Sequence, residues 1–113
     1  MPNVWFEGDA MRLYVSGPVS GKTRSEAVGD FERAAKLLVS HGYATSVPTR
    51  FVEPTASHAT AMRKCIAELL RCDGLAMLPG WRRSAGACLE VAVATACGMD
   101  AQAFEAWLER DAS

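Results

Sequence analysis

Leu78-Pro-Gly-Trp-Arg-Arg-Ser-Ala-Gly-Ala-Cys-Leu-Glu90 is the stretch from which the fold can be read. An apolar run ends at Leu78, Pro79-Gly80 predicts a turn, and Ser84 is a favourable N-cap for a helix that carries Glu90. A helix that begins after a strand and a glycine turn presents unpaired amide N–H groups, which bind anions. At a rise of about 1.5 Å per residue, Glu90 lies about 9 Å along the helix axis from an anion held at Ser84. This is close to the span from a nucleotide 5′-phosphate to its anomeric carbon.

The rest of the chain alternates short apolar runs with amphipathic segments. Strands are predicted at 12–16, 43–47 and 75–78, and helices at 25–41 and 84–97, with a loop at 49–56. Thr55 or Ser57 can cap a further helix, which would place Met62, Ile66, Leu69 and Leu70 on one face and stop at 73–74. A short last helix contains Trp107, and a fourth strand at 99–103 has only weak support from its residues. This order predicts right-handed βαβ units and an α/β fold with a small parallel sheet of three to four strands.

In such a sheet, ligands bind beyond the carboxyl ends of the strands. The first and third strands are expected to be neighbours. The loops that follow them, 17–23 and 79–84, would then face each other across one crevice.

Bulk composition predicts one domain over residues 11–113, preceded by an N-terminal extension of residues 1–10. Twelve basic and thirteen acidic residues leave a net charge of −1, which argues against binding to duplex nucleic acid or an anionic membrane and favours a small-molecule partner. The sequence has no apolar run long enough to span a bilayer and no signal peptide, so we expect a soluble, cytoplasmic protein.

The cysteine and histidine residues do not form a metal-binding motif in the sequence. The four cysteines form no CxxC pair, and neither His41 nor His58 has ligand-like neighbours in the sequence. We therefore expect reduced cysteines, no metal and no cofactor.

The first loop, Ser16-Gly-Pro-Val-Ser-Gly-Lys-Thr23, is close to a P-loop but departs from it. Ser16 stands where the motif requires glycine, and Asp73 begins a strand instead of ending one. A phosphoryl-transfer enzyme is therefore the weaker interpretation. A backbone that approaches an anion and a plain tight turn both remain open, and the candidate anion-binding residues of this loop are Ser16, Gly17, Pro18 and Gly21.

Other candidate residues surround the same predicted crevice. Tyr14 lies near the end of the first strand, where it is either a core residue or part of the site. Glu90 lies in a stretch that is apolar almost all round, so its carboxylate is either on a solvated stripe of the helix or held in the site. We favour the site, because so apolar a helix is expected to be buried and a buried carboxylate needs a partner or a purpose. Trp81 could stack on a base or sugar, or pack against a neighbouring subunit. The cations that could neutralise a phosphate are Lys22, Arg82 and Arg83.

Three segments together carry a family likeness. They are Tyr14-Val-Ser-Gly-Pro-Val-Ser-Gly21, Cys72-Asp-Gly-Leu-Ala-Met-Leu-Pro-Gly-Trp81 and Ser84-Ala-Gly-Ala-Cys-Leu-Glu90. They resemble DUF4406, a family of small, largely phage and bacterial proteins that is similar to the nucleoside 2-deoxyribosyltransferase and deoxynucleotide N-hydrolase superfamily. The likeness covers residues 11 to about 98.

The resemblance implies a flavodoxin-like three-layer fold and cleavage of the N-glycosidic bond of a nucleoside or nucleotide. It implies that Glu90 is the nucleophile, that Tyr14 supports it, and that Ser84 and Gly86 bind phosphate. Relatives that take unphosphorylated nucleosides have an acidic residue at the place of Ser84, so the serine favours a (deoxy)nucleoside 5′-monophosphate substrate.

One position departs from the superfamily pattern. Cys65 stands where an aspartate usually assists the departing base or the nucleophile, and a thiol is a poor general acid at neutral pH. Either Asp73, the substrate or a neighbouring chain supplies that function, or the protein binds and sequesters nucleotides without efficient turnover. A homodimer or higher homo-oligomer is expected, because a small sheet leaves apolar helix faces uncovered and related enzymes complete their sites across subunits.

Overall fold

A computed structural model of the chain describes residues 10–19 and 21–110. The predicted N-terminal extension, apart from its last residue, lies outside the described residues. The elements, in chain order, are β1 (Arg12–Ser16), α1 (Arg24–Ser40), β2 (Ala44–Ser46), α2 (Pro48–Phe51), α3 (His58–Leu69), β3 (Gly74–Met77), a 3-10 helix (Trp81–Arg83), α4 (Ala85–Ala96), β4 (Asp100–Ala103) and α5 (Phe104–Arg110).

The four strands form one parallel sheet in the order β2-β1-β3-β4. Tyr14 of β1 is in register with Ser46 of β2 and Leu75 of β3. The predicted α/β fold class is confirmed, and the strand order is that of a flavodoxin-like sheet. Strands β1 and β3 are neighbours, so the loops that follow them lie side by side at the carboxyl edge.

Alternation along β1 divides the core into two layers, because successive side chains of a strand point to opposite faces. Leu13 and Val15 pack with Phe31 of α1 and Trp107 of α5 on one face. Tyr14 packs on the other face with the cluster that also contains Cys65, Leu69, Leu75 and Ala94. The sheet is therefore covered by α1 and α5 on one side and by α3 and α4 on the other.

Capping residues set the helix starts that matter for the site. Thr23 forms a capping box with Glu26 at the start of α1. Ser57 caps α3, and Ser84 caps α4 as the sequence predicts, its hydroxyl oxygen accepting a hydrogen bond from the Ala87 amide at 3.2 Å. The amino ends of α1, α3 and α4 are thus fixed at the carboxyl edge of the sheet.

Three details differ from the sequence prediction. Residues 48–51 form the short helix α2, which overlaps the start of the loop predicted at 49–56, and Pro48 at its first position explains this start. Leu70 does not share the buried face of α3, because it follows the last helical residue and is 54% exposed. Helix α4 is not buried all round: only Ala87, Glu90 and Ala94 are buried, and Leu89 is 48% exposed. Among the described residues, no helix is long and apolar enough to cross a membrane.

Candidate active site

The centre of the site is the carboxylate of Glu90, which α4 carries inward to the sheet. Its side chain is 5% exposed, although carboxylates are rarely buried without partners. Glu90 follows Gly86 by four residues, so both lie on the same face of α4. This face turns towards the carboxyl half of β1.

Two hydroxyl groups of β1 satisfy the carboxylate. The Tyr14 hydroxyl donates to Oε2 of Glu90 at 2.7 Å, and Ser16 Oγ donates to Oε1 at 2.7 Å. Tyr14 and Ser16 are two residues apart on one strand, so both side chains project from the same face. The sequence analysis placed Ser16 among the anion-binding residues, whereas in the structure its hydroxyl binds Glu90.

Cys65 of α3 completes the cluster from a third direction. Its side chain is 6% exposed and belongs to the same buried cluster as Tyr14, and it lines the cavity together with Glu90. Burial raises the pKa of this thiol to about 11. Cys65 therefore stays a neutral thiol at physiological pH and adds no second negative charge beside Glu90.

Burial also governs the protonation of the other two partners. Loss of hydration raises the pKa of Glu90 above its usual value, and the hydrogen bonds from Ser16, Tyr14 and Cys65 act in the opposite direction. The pKa of Tyr14 is raised by burial and then by the charge of Glu90, so the phenol remains a neutral donor. Among the described residues, the groups that stabilise the Glu90 carboxylate are neutral hydrogen-bond donors, and no cation is among them.

A cavity of about 270 Å³ opens beside this cluster. Gly17, Cys65, Ser84, Gly86 and Glu90 line it, so the cavity joins the loop after β1 to the first turn of α4. In that first turn, amides that have no partner inside the helix face an open space, next to a buried carboxylate. The amino end of α4 and the Glu90 carboxylate therefore line one cavity, as the sequence predicts; anion binding there stays a prediction.

Gly17 makes the close approach of the two loops possible. A Cβ atom built on Gly17 would lie 2.9 Å from Cβ of Leu78, a distance that side chains do not tolerate. The Leu78 amide donates to the Ser16 carbonyl at 2.8 Å, which holds the two strand ends together. The glycine is therefore required for packing, whatever else it contacts.

Several predicted site residues lie away from this cavity. Pro18 lines a second cavity, which is described below. Gly21 and Trp81 line neither cavity. The Arg82 guanidinium stacks on the Trp81 ring, with Cζ 5.0 Å from the ring centroid. Asp73 precedes β3 and accepts a hydrogen bond of 2.8 Å from the Arg12 amide at the opposite, amino edge of the sheet. The structure does not bring Asp73 together with Glu90.

The second cavity, of about 410 Å³, lies on the other side of the sheet between α1 and α5. Its charged residues include Lys22, Asp30 and Arg33. Asp30 forms ion pairs with Lys22 at 2.9 Å and with Arg33 at 2.6 Å, so these charges satisfy one another. Within residues 10–19 and 21–110, no three His, Cys, Asp or Glu side chains are grouped closely enough to hold a metal ion.

Sequence reasoning missed the contribution of α1, the segment after β2 and the start of α3 to the Glu90 cavity. The residues are Arg24 and Phe31 of α1; Pro48, Thr49, Val52, Glu53, Pro54 and Ala56 after β2; and His58, Ala61 and Met62 of α3. The segment follows a strand of the same parallel sheet, so its position at the carboxyl edge was a usable signal. The side chains that face inward depend on the unpredicted helix α2.

A parallel sheet in this strand order, with a hydrogen-bonded carboxylate and a helix amino end at its carboxyl edge, defines an α/β protein of flavodoxin-like architecture with a cleft at that edge. The chain belongs to the DUF4406 family, described as a domain of unknown function, whose model matches residues 11–102. No curated protein matches the chain. The match confirms the family recognised from the sequence; the wider superfamily remains a prediction.

Proposed function

We propose that the protein cleaves the N-glycosidic bond of a (deoxy)nucleoside 5′-monophosphate and releases the free base, with Glu90 as nucleophile. The observation that carries this proposal is the Glu90 carboxylate held by Tyr14 and Ser16 at 2.7 Å each, on the wall of a cavity that also receives the amino end of α4. A buried carboxylate with a perturbed pKa in a cleft is a typical feature of a catalytic site.

Glu90 would act in two steps, as in retaining glycoside cleavage. One carboxylate oxygen bonds to the anomeric carbon as the carbon–nitrogen bond breaks, and the bonding electron pair leaves with the base, which takes a proton from solvent. Water then attacks the same carbon, the ester bond to Glu90 breaks, and one water proton is released. Another sugar acceptor, such as a second base in place of water, would make the same reaction a transfer.

The phosphate would be held by the first turn of α4. The amides of Ala85 and Gly86 precede the first intrahelical hydrogen bonds, and Ser84 Oγ, which accepts from Ala87, retains its own proton to donate. These neutral donors and the positive end of the helix dipole favour an anion there. Gly86 lets the phosphate approach the backbone closely, since it has no side chain.

Tyr14 and Ser16 would position the nucleophile and keep it ionised without a neighbouring cation. Because their hydrogen bonds are already formed in the free protein, little reorganisation is needed when substrate binds. The direct test is incubation with a panel of nucleoside 5′-monophosphates followed by chromatographic separation of free bases. Release of phosphate in place of base would contradict the proposal and point to phosphoryl transfer.

A second candidate function is nucleotide binding without useful turnover, and Cys65 is the observation that favours it. The thiol faces Glu90, and with a pKa raised to about 11 it is too weak an acid to protonate a departing base at neutral pH. A nucleotide-dependent rise in melting temperature without any free base after long incubation would select this function.

We also propose that the protein acts as a homodimer. Helix α4 is apolar almost all round, yet a single chain buries only Ala87, Glu90 and Ala94 of it. Leu70 and Leu89, at the end of α3 and on α4, are about half exposed at 54% and 48%. A second copy packed on this face would cover them; light scattering that gives the mass of one chain at micromolar concentration would contradict the dimer.

A further inference from the structure

One side of the Glu90 cavity is formed by the start of α1 and the segment after β2, and it contains polar groups with no assigned role. Arg24, the first residue of α1, lines the cavity while its Nη2 donates to the Thr49 carbonyl at 2.9 Å and reaches the Val52 carbonyl at 3.5 Å. These contacts hold the guanidinium against the cavity wall. The Nε–H and Nη1–H donors have no partner within the described residues.

Thr49 provides an independent sign that this wall is built for a ligand. Its Oγ1 atom is buried and has no hydrogen-bond partner in the described structure, and the residue lines the same cavity. Buried hydroxyl groups are almost always hydrogen-bonded, because an unpaired one has lost its bonds to water without replacement. Because Oγ1 itself is covered, a ligand reaches it only when the wall moves outward, and the ligand would then supply the missing partner.

Glu53 adds an acceptor beside these donors. It follows Val52 in the chain, lines the cavity and belongs to no ion pair among the described residues. The cavity wall therefore offers a guanidinium, which can only donate, and a carboxylate, which when ionised can only accept. The apolar side chains of Pro48 and Val52 lie near them on the same wall and suit the faces of a planar ring.

We propose that Arg24, Thr49 and Glu53 form the base subsite, and that it selects bases with a lactam edge, in which a carbonyl group adjoins a ring N–H. This inference rests on the proposed function: if Ser84 and Gly86 hold the phosphate and Glu90 faces the sugar, the remaining wall receives the base. Hypoxanthine, guanine, uracil and thymine match a donor beside an acceptor. Adenine and cytosine have an amino group in place of this carbonyl. The amino group and the Arg24 guanidinium are both hydrogen-bond donors, so they cannot pair.

The same contact assists departure of the base. When the carbon–nitrogen bond breaks, its electron pair passes into the base and spreads onto the carbonyl oxygen. A guanidinium beside that oxygen stabilises the charge without transferring a proton. Arg24 would thus supply by electrostatics what the Cys65 thiol cannot supply as an acid.

Binding to the Glu90→Gln protein tests the subsite without turnover. Calorimetry compares dIMP with dAMP and dUMP with dCMP, pairs that differ only at the edge in question. We expect the lactam member of each pair to bind about tenfold or more tightly, since hydrogen bonds to charged groups are stronger than those between neutral groups. Equal affinities within both pairs would overturn the subsite.

Further variants of the Glu90→Gln protein distinguish recognition of the base by Arg24 from a role of Arg24 in positioning the segment after β2. Arg24→Met should reduce the preference in both pairs to near unity, and Thr49→Val should weaken binding of the lactam nucleotides severalfold. Arg50→Met is the matched control, because Arg50 also ties α2 to α1, through Glu32 at 2.7 and 2.8 Å, without lining the cavity. The control should keep the preference; if it loses as much as Arg24→Met does, the role of Arg24 is structural and the proposal is wrong.

The two proposals fail in different ways. Base release by the wild-type protein without a lactam preference would contradict the base subsite but would support the glycosidase proposal. A lactam preference in binding, with no base released by the wild-type protein, would remove the glycosidase and leave the subsite.

Discussion

The hydroxyl of Tyr14 donates a 2.7 Å hydrogen bond to Oε2 of Glu90, joining β1 to α4 across 76 residues of chain. Both groups are buried, with Tyr14 0% and Glu90 5% exposed. Because Ser16 Oγ holds the other carboxylate oxygen at the same distance, the carboxylate is fixed in orientation by a single strand. The expected behaviour of the protein follows from this arrangement.

The acid limb of the pH–rate profile should report Glu90. Burial raises its pKa, so the nucleophile becomes protonated, and base release declines, at a higher pH than an ordinary glutamate would allow. Ser16→Ala removes a hydrogen bond that lowers this pKa, and should move the limb to still higher pH. The measurement is kcat/KM for base release as a function of pH.

Ser40→Ala is the matched control variant for Ser16→Ala. Ser40 is an exposed serine whose hydroxyl donates to the Leu37 carbonyl in α1, away from the cavity. It should leave the profile unchanged. An acid limb that does not move in Ser16→Ala would show that Ser16 does not lower the pKa of Glu90.

Because the charged form of Glu90 is buried, we expect this residue to lower the stability of the folded protein at neutral pH. Because its folded-state pKa is raised, protonation of Glu90 favours folding below the unfolded-state value of about 4.3, and this contribution is lost as pH rises through the folded-state pKa. Glu90→Gln keeps the shape without the charge and should raise Tm at pH 7 to 8. In a domain of this size, 1 kcal/mol corresponds to about 4–8 °C.

Thermal unfolding across pH checks that sign. The gap in Tm between Glu90→Gln and wild type should narrow as pH falls towards 4. A variant that is less stable than wild type at pH 8 would mean that the hydrogen bonds of Tyr14 and Ser16 outweigh the burial of the charge.

Ser84 should decide between phosphorylated and unphosphorylated substrates. Ser84→Asp keeps a good N-cap for α4 but sets a negative charge against the phosphate. We expect kcat/KM for a nucleotide to fall by about 100-fold or more, equivalent to about 2.7 kcal/mol, and the value for the matching nucleoside to change far less. Equal losses for both substrates would place the phosphate elsewhere.

The architecture was predictable because its signals are local. Residues 12–16 form β1 within the predicted bounds, and Ser84 caps α4, because glycine turns and N-caps act within a few residues. Even β4, which has weak strand residues, forms, since β3 supplies a partner for it in the sheet. Short-range chemistry and βαβ connectivity were sufficient for the fold.

The site was only partly predictable because it depends on side chains brought together from several elements. The pairing of Tyr14 with Glu90 was expected, but Ser16 was assigned to an anion although its spacing of two from Tyr14 put both hydroxyls on one face. Asp73 was named as one possible substitute for the aspartate that Cys65 replaces, but it lies at the opposite edge of the sheet. The contribution of Arg24 depends on its contacts with the segment after β2, which no local pattern encodes.

The most direct test of the account is release of free base from nucleoside 5′-monophosphates by wild type and by Glu90→Gln. Without its nucleophile, the variant should lose about a thousandfold or more in rate while it still binds nucleotide. Glu109→Gln, which neutralises an exposed carboxylate on α5, should behave as wild type. Base release by Glu90→Gln at the wild-type rate would contradict the role assigned to Glu90.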